Sequence, residues 1–132
     1  MYPVLVDTDV AIDYLRGYQY AKRLVEPLWE SDRAYLSVLS VYELWAGMRE
    51  NEKENTLNFI KVCKTENITP EIAFKAGELF RQYRTRGITL TSIDCLIAAT
   101  ALVRNLKIAT RNVKHYPKRE LLLEIDSGPY EV

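Results

Sequence analysis

The sequence is poor in the residues that define several functional classes. It carries two cysteines, Cys63 and Cys95, and a single histidine, His115. The cysteines show no metal-ligand spacing, and one histidine with no cysteine nearby cannot build a zinc site of the usual kinds. Two cysteines also give no disulfide framework, so a reduced, cytoplasmic protein is the simplest expectation. There is no G-x-S-x-G elbow for a charge-relay hydrolase, and no G-x-x-x-x-G-K-[ST] loop for nucleotide binding of that type. No apolar run is long enough to cross a bilayer. The opening MYPVLVDTDV lacks the basic region and long apolar stretch of a signal peptide, so none is expected. No repeat, low-complexity tract or linker breaks the chain. Net charge is missing too: 18 basic residues balance 18 acidic ones, so global charge does not mark a nucleic-acid binder.

What remains is an ordinary globular composition, 48% hydrophobic and 27% charged, in 132 residues. That is one domain's worth, expected to span 1–132, and enough chain to bury a core without metal or disulfide support. The charge is distributed unevenly. Between Arg104 and Arg119 lie six basic residues (Arg104, Lys107, Arg111, Lys114, Lys118, Arg119) and no acidic one. The acids of interest stand elsewhere, at Asp7, Asp9, Asp13, Glu43 and Asp94. A carboxylate cluster beside a basic segment suits a metal that meets an anionic substrate; the plain alternative is a solvated basic stretch.

Hydrophobic periodicity gives the elements. Pro3-Val4-Leu5-Val6 reads as a buried strand, followed directly by a helix through Val10, Ile12 and Leu15 that ends near Gly17. A second helix is expected from about Tyr18 to Trp29, and a second strand at Ala34-Tyr35-Leu36-Ser37. Ser40 is expected to open a helix through Leu44 and Met48, with more helix over 51–61 and a short strand around Val62 to Lys64. Thr69-Pro70-Glu71 is a strong helix start, with cap, proline at the first position and an acid in the first turn; Gly87 marks its end. Thr91 or Ser92 caps the next helix, small and apolar nearly all round and so buried on more than one side. Lys107-Ile108-Ala109-Thr110 reads as a strand, Arg111-Asn112 as a turn, and Leu121 to Ile125 as a last strand. Short apolar strands alternating with amphipathic helices indicate an α/β fold with a central parallel sheet flanked by helices.

In an open parallel sheet, ligands bind beyond the carboxyl ends of the strands. Asp7 follows the first strand, Asn112 follows the strand at Ile108-Ala109, and Glu43 and Asp94 lie near helix starts, so three acids and an amide can converge on one rim. Like charges brought that close raise each other's pKa unless a cation neutralises them. Mg2+ or Mn2+ takes oxygen ligands, polarises a phosphoryl group and makes water a better nucleophile. Each acid also has a local explanation. Ser40-Val41-Tyr42-Glu43 and Thr91-Ser92-Ile93-Asp94 both have the capping-box form, and Asp7 could cap the first helix. Both readings stand together, because a carboxylate in a first helical turn gains from the helix dipole.

These segments resemble the four motifs of PIN-domain nucleases, in order and over nearly the whole chain. Val4-Leu5-Val6-Asp7-Thr8-Asp9 resembles the opening motif; Ser37 to Gly47, with Glu43, the second; Ser92 to Ala101, with Asp94, the third; and Ile108 to Tyr116 the fourth. The small single-domain form is most similar to VapC-type toxins of toxin–antitoxin pairs. The resemblance implies an α/β/α sandwich and a Mg2+- or Mn2+-dependent endoribonuclease. It puts the metal ligands at Asp7, Glu43 and Asp94, Asn112 with them in the catalytic set, and a hydroxyl residue near the site at Thr110. Arg111, Lys114 and His115 would lie beside the RNA. It implies a homodimer and a cognate antitoxin that occludes the site. Family members often carry aspartate at the position of Asn112 or of His115; neither is acidic here, so the expected site has three acids and one firmly held metal.

Two other classes fit parts of the sequence. Leu5-Val6-Asp7-Thr8-Asp9 also matches the opening of haloacid-dehalogenase-like phosphatases, but no adjacent acidic pair follows Asp94 and the chain is short for that fold. A PIN-like domain with an incomplete site could bind RNA or a partner without cutting. Within the nuclease reading DNA stays open as a substrate, although no groove-reading helix of a known type is present.

Overall fold

The computed structural model describes residues 2–125 and contains a four-stranded, all-parallel sheet in the order β3-β2-β1-β4. β1 (Val4–Val6) is buried throughout and lies between β2 (Ala34–Ser37) and β4 (Lys107–Ala109). Val4 faces Ala34 on one side and Lys107 on the other. β3 (Lys64–Glu66) forms the outer edge beside β2. Strands covered on both faces read as unbroken apolar runs, which is why Val4-Leu5-Val6 shows no alternation.

Alternate side chains of β1 feed two cores. Leu5 and Ile108 pack with Ile72, Leu79, Ile97, Ala99 and Tyr116 under α5 (Pro70–Thr85) and α6 (Ser92–Arg104). Val4, Val6 and Leu36 pack on the opposite face with Val10, Val25, Leu44 and Phe59. Those come from α1 (Thr8–Leu15), α2 (Gln19–Glu30), α3 (Val38–Gly47) and α4 (Lys53–Val62). The result is the expected α/β/α sandwich. Small side chains at Ala98, Ala99, Thr100 and Ala101 let α6 sink between the sheet and α5. No helix among the described residues is long and apolar enough to cross a membrane.

Three local expectations need correction. Ser40 does not open α3: Ser37 is the N-cap, its hydroxyl accepting the Leu39 N–H at 3.1 Å, and the helix starts directly from β2. The third strand lies at Lys64–Glu66, because α4 continues through Val62 and Cys63 closes it. Leu121 to Ile125 forms no strand. Arg119–Leu121 winds into a 3-10 turn, and contact with β4 is reduced to one bridge, Leu122 to Ile108. Leu121 is drawn into the core under α6 while Leu123 and Ile125 pack on the other face, so the turn consumes the backbone that would have begun a ladder. Cys63 and Cys95 are buried free thiols whose pKa values burial pushes up.

Candidate active site

The strand order fixes where the crevice opens. From β1 the chain winds to β2 and β3 on one side, while β4 returns to the other side of β1. The connections at the carboxyl ends of β1 and β4 therefore diverge, and such a switch point leaves a ligand crevice. Asp7 stands at the end of β1 and its N–H donates to the Ala109 carbonyl of β4 at 2.9 Å. Thr110 follows β4 immediately.

A cleft of about 410 Å³ opens there, lined by Asp7, Thr8, Asp9, Glu43, Thr91, Ser92, Ile93, Asp94, Asn112 and His115. The sequence-predicted acids Asp7, Glu43 and Asp94 thus share one cleft with Asn112 and His115. Asp7 caps α1 through its own neighbour, Oδ1 accepting the Thr8 N–H at 2.9 Å. Its Oδ2 accepts the Thr110 hydroxyl at 2.8 Å and the Tyr116 hydroxyl at 3.1 Å. Burial raises the Asp7 pKa above the ordinary carboxylate value; these donors oppose the rise, and the charge of Asp94 adds to it.

Asp94 sits in the first turn of α6, where its N–H donates to the Thr91 hydroxyl at 3.1 Å. Its carboxylate, 13% exposed, has Oδ2 at 3.5 Å from His115 Nδ1. Thr91 is therefore the cap, and the Asp94 side chain faces the cleft. Glu43 lies in α3 beyond its first turn, and its Oε1 accepts the Thr8 hydroxyl at 2.7 Å. The Ser40 hydroxyl is buried 2.9 Å from that of Thr8. The capping-box reading of Ser40 and Glu43 gives way to a contact between α1 and α3.

Asp9, named among the acids of interest but not with the expected catalytic or metal residues, lines the same cleft. Its Oδ2 accepts the Arg111 N–H at 2.8 Å and its Oδ1 the Val10 N–H at 2.7 Å. Burial first, then the charge of Asp7, lifts its pKa to about 6. The signal was the second aspartate of Asp7-Thr8-Asp9. Tyr116 was missed; its place just past His115 was the available hint. Thr110 is buried, and its hydroxyl also accepts the Asn112 N–H at 3.0 Å. Arg111 lays its guanidinium over the Tyr20 ring, 4.6 Å from the centroid. Lys114 stands exposed, outside the cleft lining.

The donor set is carboxylate, hydroxyl and amide oxygen, which suits a hard divalent cation. Asp7, buried and pressed by Asp94, carries a charge cost that such an ion offsets. Among the described residues no three His, Cys, Asp or Glu side chains converge tightly enough to cage a metal.

Residues 4–119 match the PIN domain family. Ribonuclease VapC10 of Mycobacterium tuberculosis is 37% identical over 119 residues, 90% of each chain. Ribonuclease VapC19 of the same organism is 37% identical over 114 residues, 86% of this chain and 91% of its own. Among solved structures, a toxin–antitoxin complex from Klebsiella pneumoniae aligns with a TM-score of 0.78 at 25% identity, covering 98% of this chain and 99% of that one. Fold, cleft and relatives agree: the chain belongs to the PIN-domain family.

Proposed function

We propose that this chain is a VapC-type endoribonuclease, the toxin of a toxin–antitoxin pair, which hydrolyses RNA phosphodiester bonds with Mg2+ or Mn2+. The observation that carries the reading is the convergence of Asp7, Glu43 and Asp94 on one cleft at the sheet's switch point. Asp7 and Asp94 would hold the ion, with Glu43 completing the acidic rim. When bound, the ion neutralises these carboxylates, polarises the phosphoryl group and makes water nucleophilic. Thr8 keeps Glu43 in place through the 2.7 Å hydrogen bond, and Thr110 does the same for Asp7 at 2.8 Å. Asn112 offers a neutral amide oxygen at the rim. His115 on the cleft wall, with Arg111 and Lys114 beside it, supplies cationic and polar contacts for RNA phosphates.

The whole of 1–132 is read as one nuclease domain. The ribonuclease names of the relatives and the toxin–antitoxin complex that shares the fold support RNA as substrate and an antitoxin as partner. A homodimer is also proposed, and a monomeric mass by light scattering would count against it.

The test is RNA cleavage with Mg2+, with Mn2+ and with chelator. Wild type should cut only with metal. Asp7→Asn and Asp94→Asn should each lose at least about a hundredfold in rate, the scale of removing a group that stabilises charge in the transition state. Glu43→Gln should lose less. RNA binding that needs no metal, with no cleavage of any RNA, would favour a binding domain instead.

A further inference from the structure

Asp7 Oδ2 receives two hydroxyl donors, Thr110 at 2.8 Å and Tyr116 at 3.1 Å, whereas Oδ1 receives the Thr8 N–H at 2.9 Å. Each carboxylate oxygen offers two lone-pair positions. Oδ2 is thereby filled, and the capacity left on Asp7 lies on Oδ1. The donors arrive by different routes. Thr110 is the first residue after β4, and its hydroxyl is itself oriented by the Asn112 N–H at 3.0 Å. Tyr116 comes from beyond the 3-10 turn Val113–His115 and is buried to 2% exposure in the core under α5 and α6.

The ring and the hydroxyl of Tyr116 do separate jobs. The ring fills apolar space with Leu5, Ile97 and Ile108, which a phenylalanine would fill as well. The hydroxyl reaches through that core to Asp7 Oδ2 in the cleft. A phenol is a hydrogen-bond donor, and here it donates to the Asp7 carboxylate at 3.1 Å. Donors on a ligating carboxylate fix its rotamer and choose which oxygen faces the ion.

We infer that Tyr116 is a positioning residue for metal binding: its hydroxyl, with that of Thr110, occupies Asp7 Oδ2 and so presents Oδ1 to the cation. This rests on the nuclease reading of the cleft.

The experiment is a calorimetric Mn2+ titration of the full chain stripped with chelator, wild type against Tyr116→Phe, with melting curves of both metal-free proteins. Tyr116→Phe should melt within a few degrees of wild type, because the ring stays. Its apparent Kd for Mn2+ should rise about tenfold, the low end for loss of a partner to a ligand side chain. KM for RNA should hold while kcat falls at limiting Mn2+ and recovers as Mn2+ is raised. A Kd within twofold of wild type overturns the inference. Should the phenylalanine variant lose its fold, Thr110→Val decides, since it strips the other hydroxyl from the same oxygen. A loss of about tenfold there sustains the inference, and unchanged affinity overturns it. Wild type that binds no Mn2+ defeats the nuclease reading itself, and the inference with it.

Discussion

Asp9 shows how one buried carboxylate ties the stability of this protein to pH. Its pKa of about 6 lies above the ordinary aspartate value of 3.8, chiefly because burial disfavours the charged form and secondarily because Asp7 is near. A carboxylate whose pKa is raised by folding destabilises the fold when it is ionised. The penalty is absent below the unfolded pKa, grows as pH rises, and is complete above about 6. Asp7 is shifted in the same direction. Metal-free protein should therefore melt several degrees higher at pH 5.5 than at pH 7.5. Asp9→Asn keeps an oxygen to accept the Arg111 N–H and carries no charge, so its melting point should change less across that interval. Scanning calorimetry in chelator measures both; an Asp9→Asn slope equal to that of wild type would remove Asp9 as the source.

At the scale of elements, α6 joins a capping motif to a site residue. Thr91 caps the helix and Asp94 stands in its first turn, so the cap holds the backbone that aims Asp94 into the cleft. Thr69 caps α5 in the same way, its hydroxyl accepting the Ile72 N–H at 3.2 Å, but that first turn carries no cleft residue. Thr91→Ala and Thr69→Ala should each cost about 1 kcal/mol in denaturant unfolding. Mn2+ affinity should fall in Thr91→Ala and hold in Thr69→Ala. Equal affinities in the two variants would show that the cap does not position Asp94.

The same elements show what sequence can and cannot reveal. The start of α5 was legible because cap, Pro70 and Glu71 are adjacent in the chain. The parallel sheet was legible because Val4-Leu5-Val6 of β1 and Ile108-Ala109 of β4 are apolar and buried. β3 was displaced by two residues because an exposed edge strand of Lys64-Thr65-Glu66 has no apolar pattern to fix its register. Asp7 and Asp94 could be named because one sits at the end of a strand and the other in the first turn of a helix, whereas Glu43 lies beyond the first turn of α3. The hydroxyls that hold them could not. Thr8 meets Glu43 across 35 positions and Tyr116 meets Asp7 across 109, and no local spacing encodes either pair. Ser40 was misassigned for the same reason: its S-x-x-E spacing imitates a cap, while its hydroxyl belongs to a contact between helices.

Across the whole molecule, the proposed metal binding would join folding and pH in one equilibrium. The cleft draws on the ends of β1 and β4 and on α3 and α6, segments spread from Asp7 to His115. An ion held there links the two ends of the described chain, so it should stabilise a single cooperative transition rather than one layer. An ion that binds the native state at a hundred times its Kd adds about 2.7 kcal/mol. For a domain of this size that is a rise of roughly 10 °C in melting temperature. The net charge of zero leaves no large global field to carry the effect, so it must come from the cleft acids. Protons compete with metal for the same carboxylates. Because burial shifts Asp7 upward, the competition reaches to higher pH than it would for an ordinary aspartate. Saturating Mn2+ at pH 7.5 should therefore raise the melting point by roughly 10 °C, and the same concentration at pH 5.5 by clearly less. Asp94→Asn should abolish the rise at both. A melting shift equal at the two pH values would mean that these carboxylates do not hold the ion.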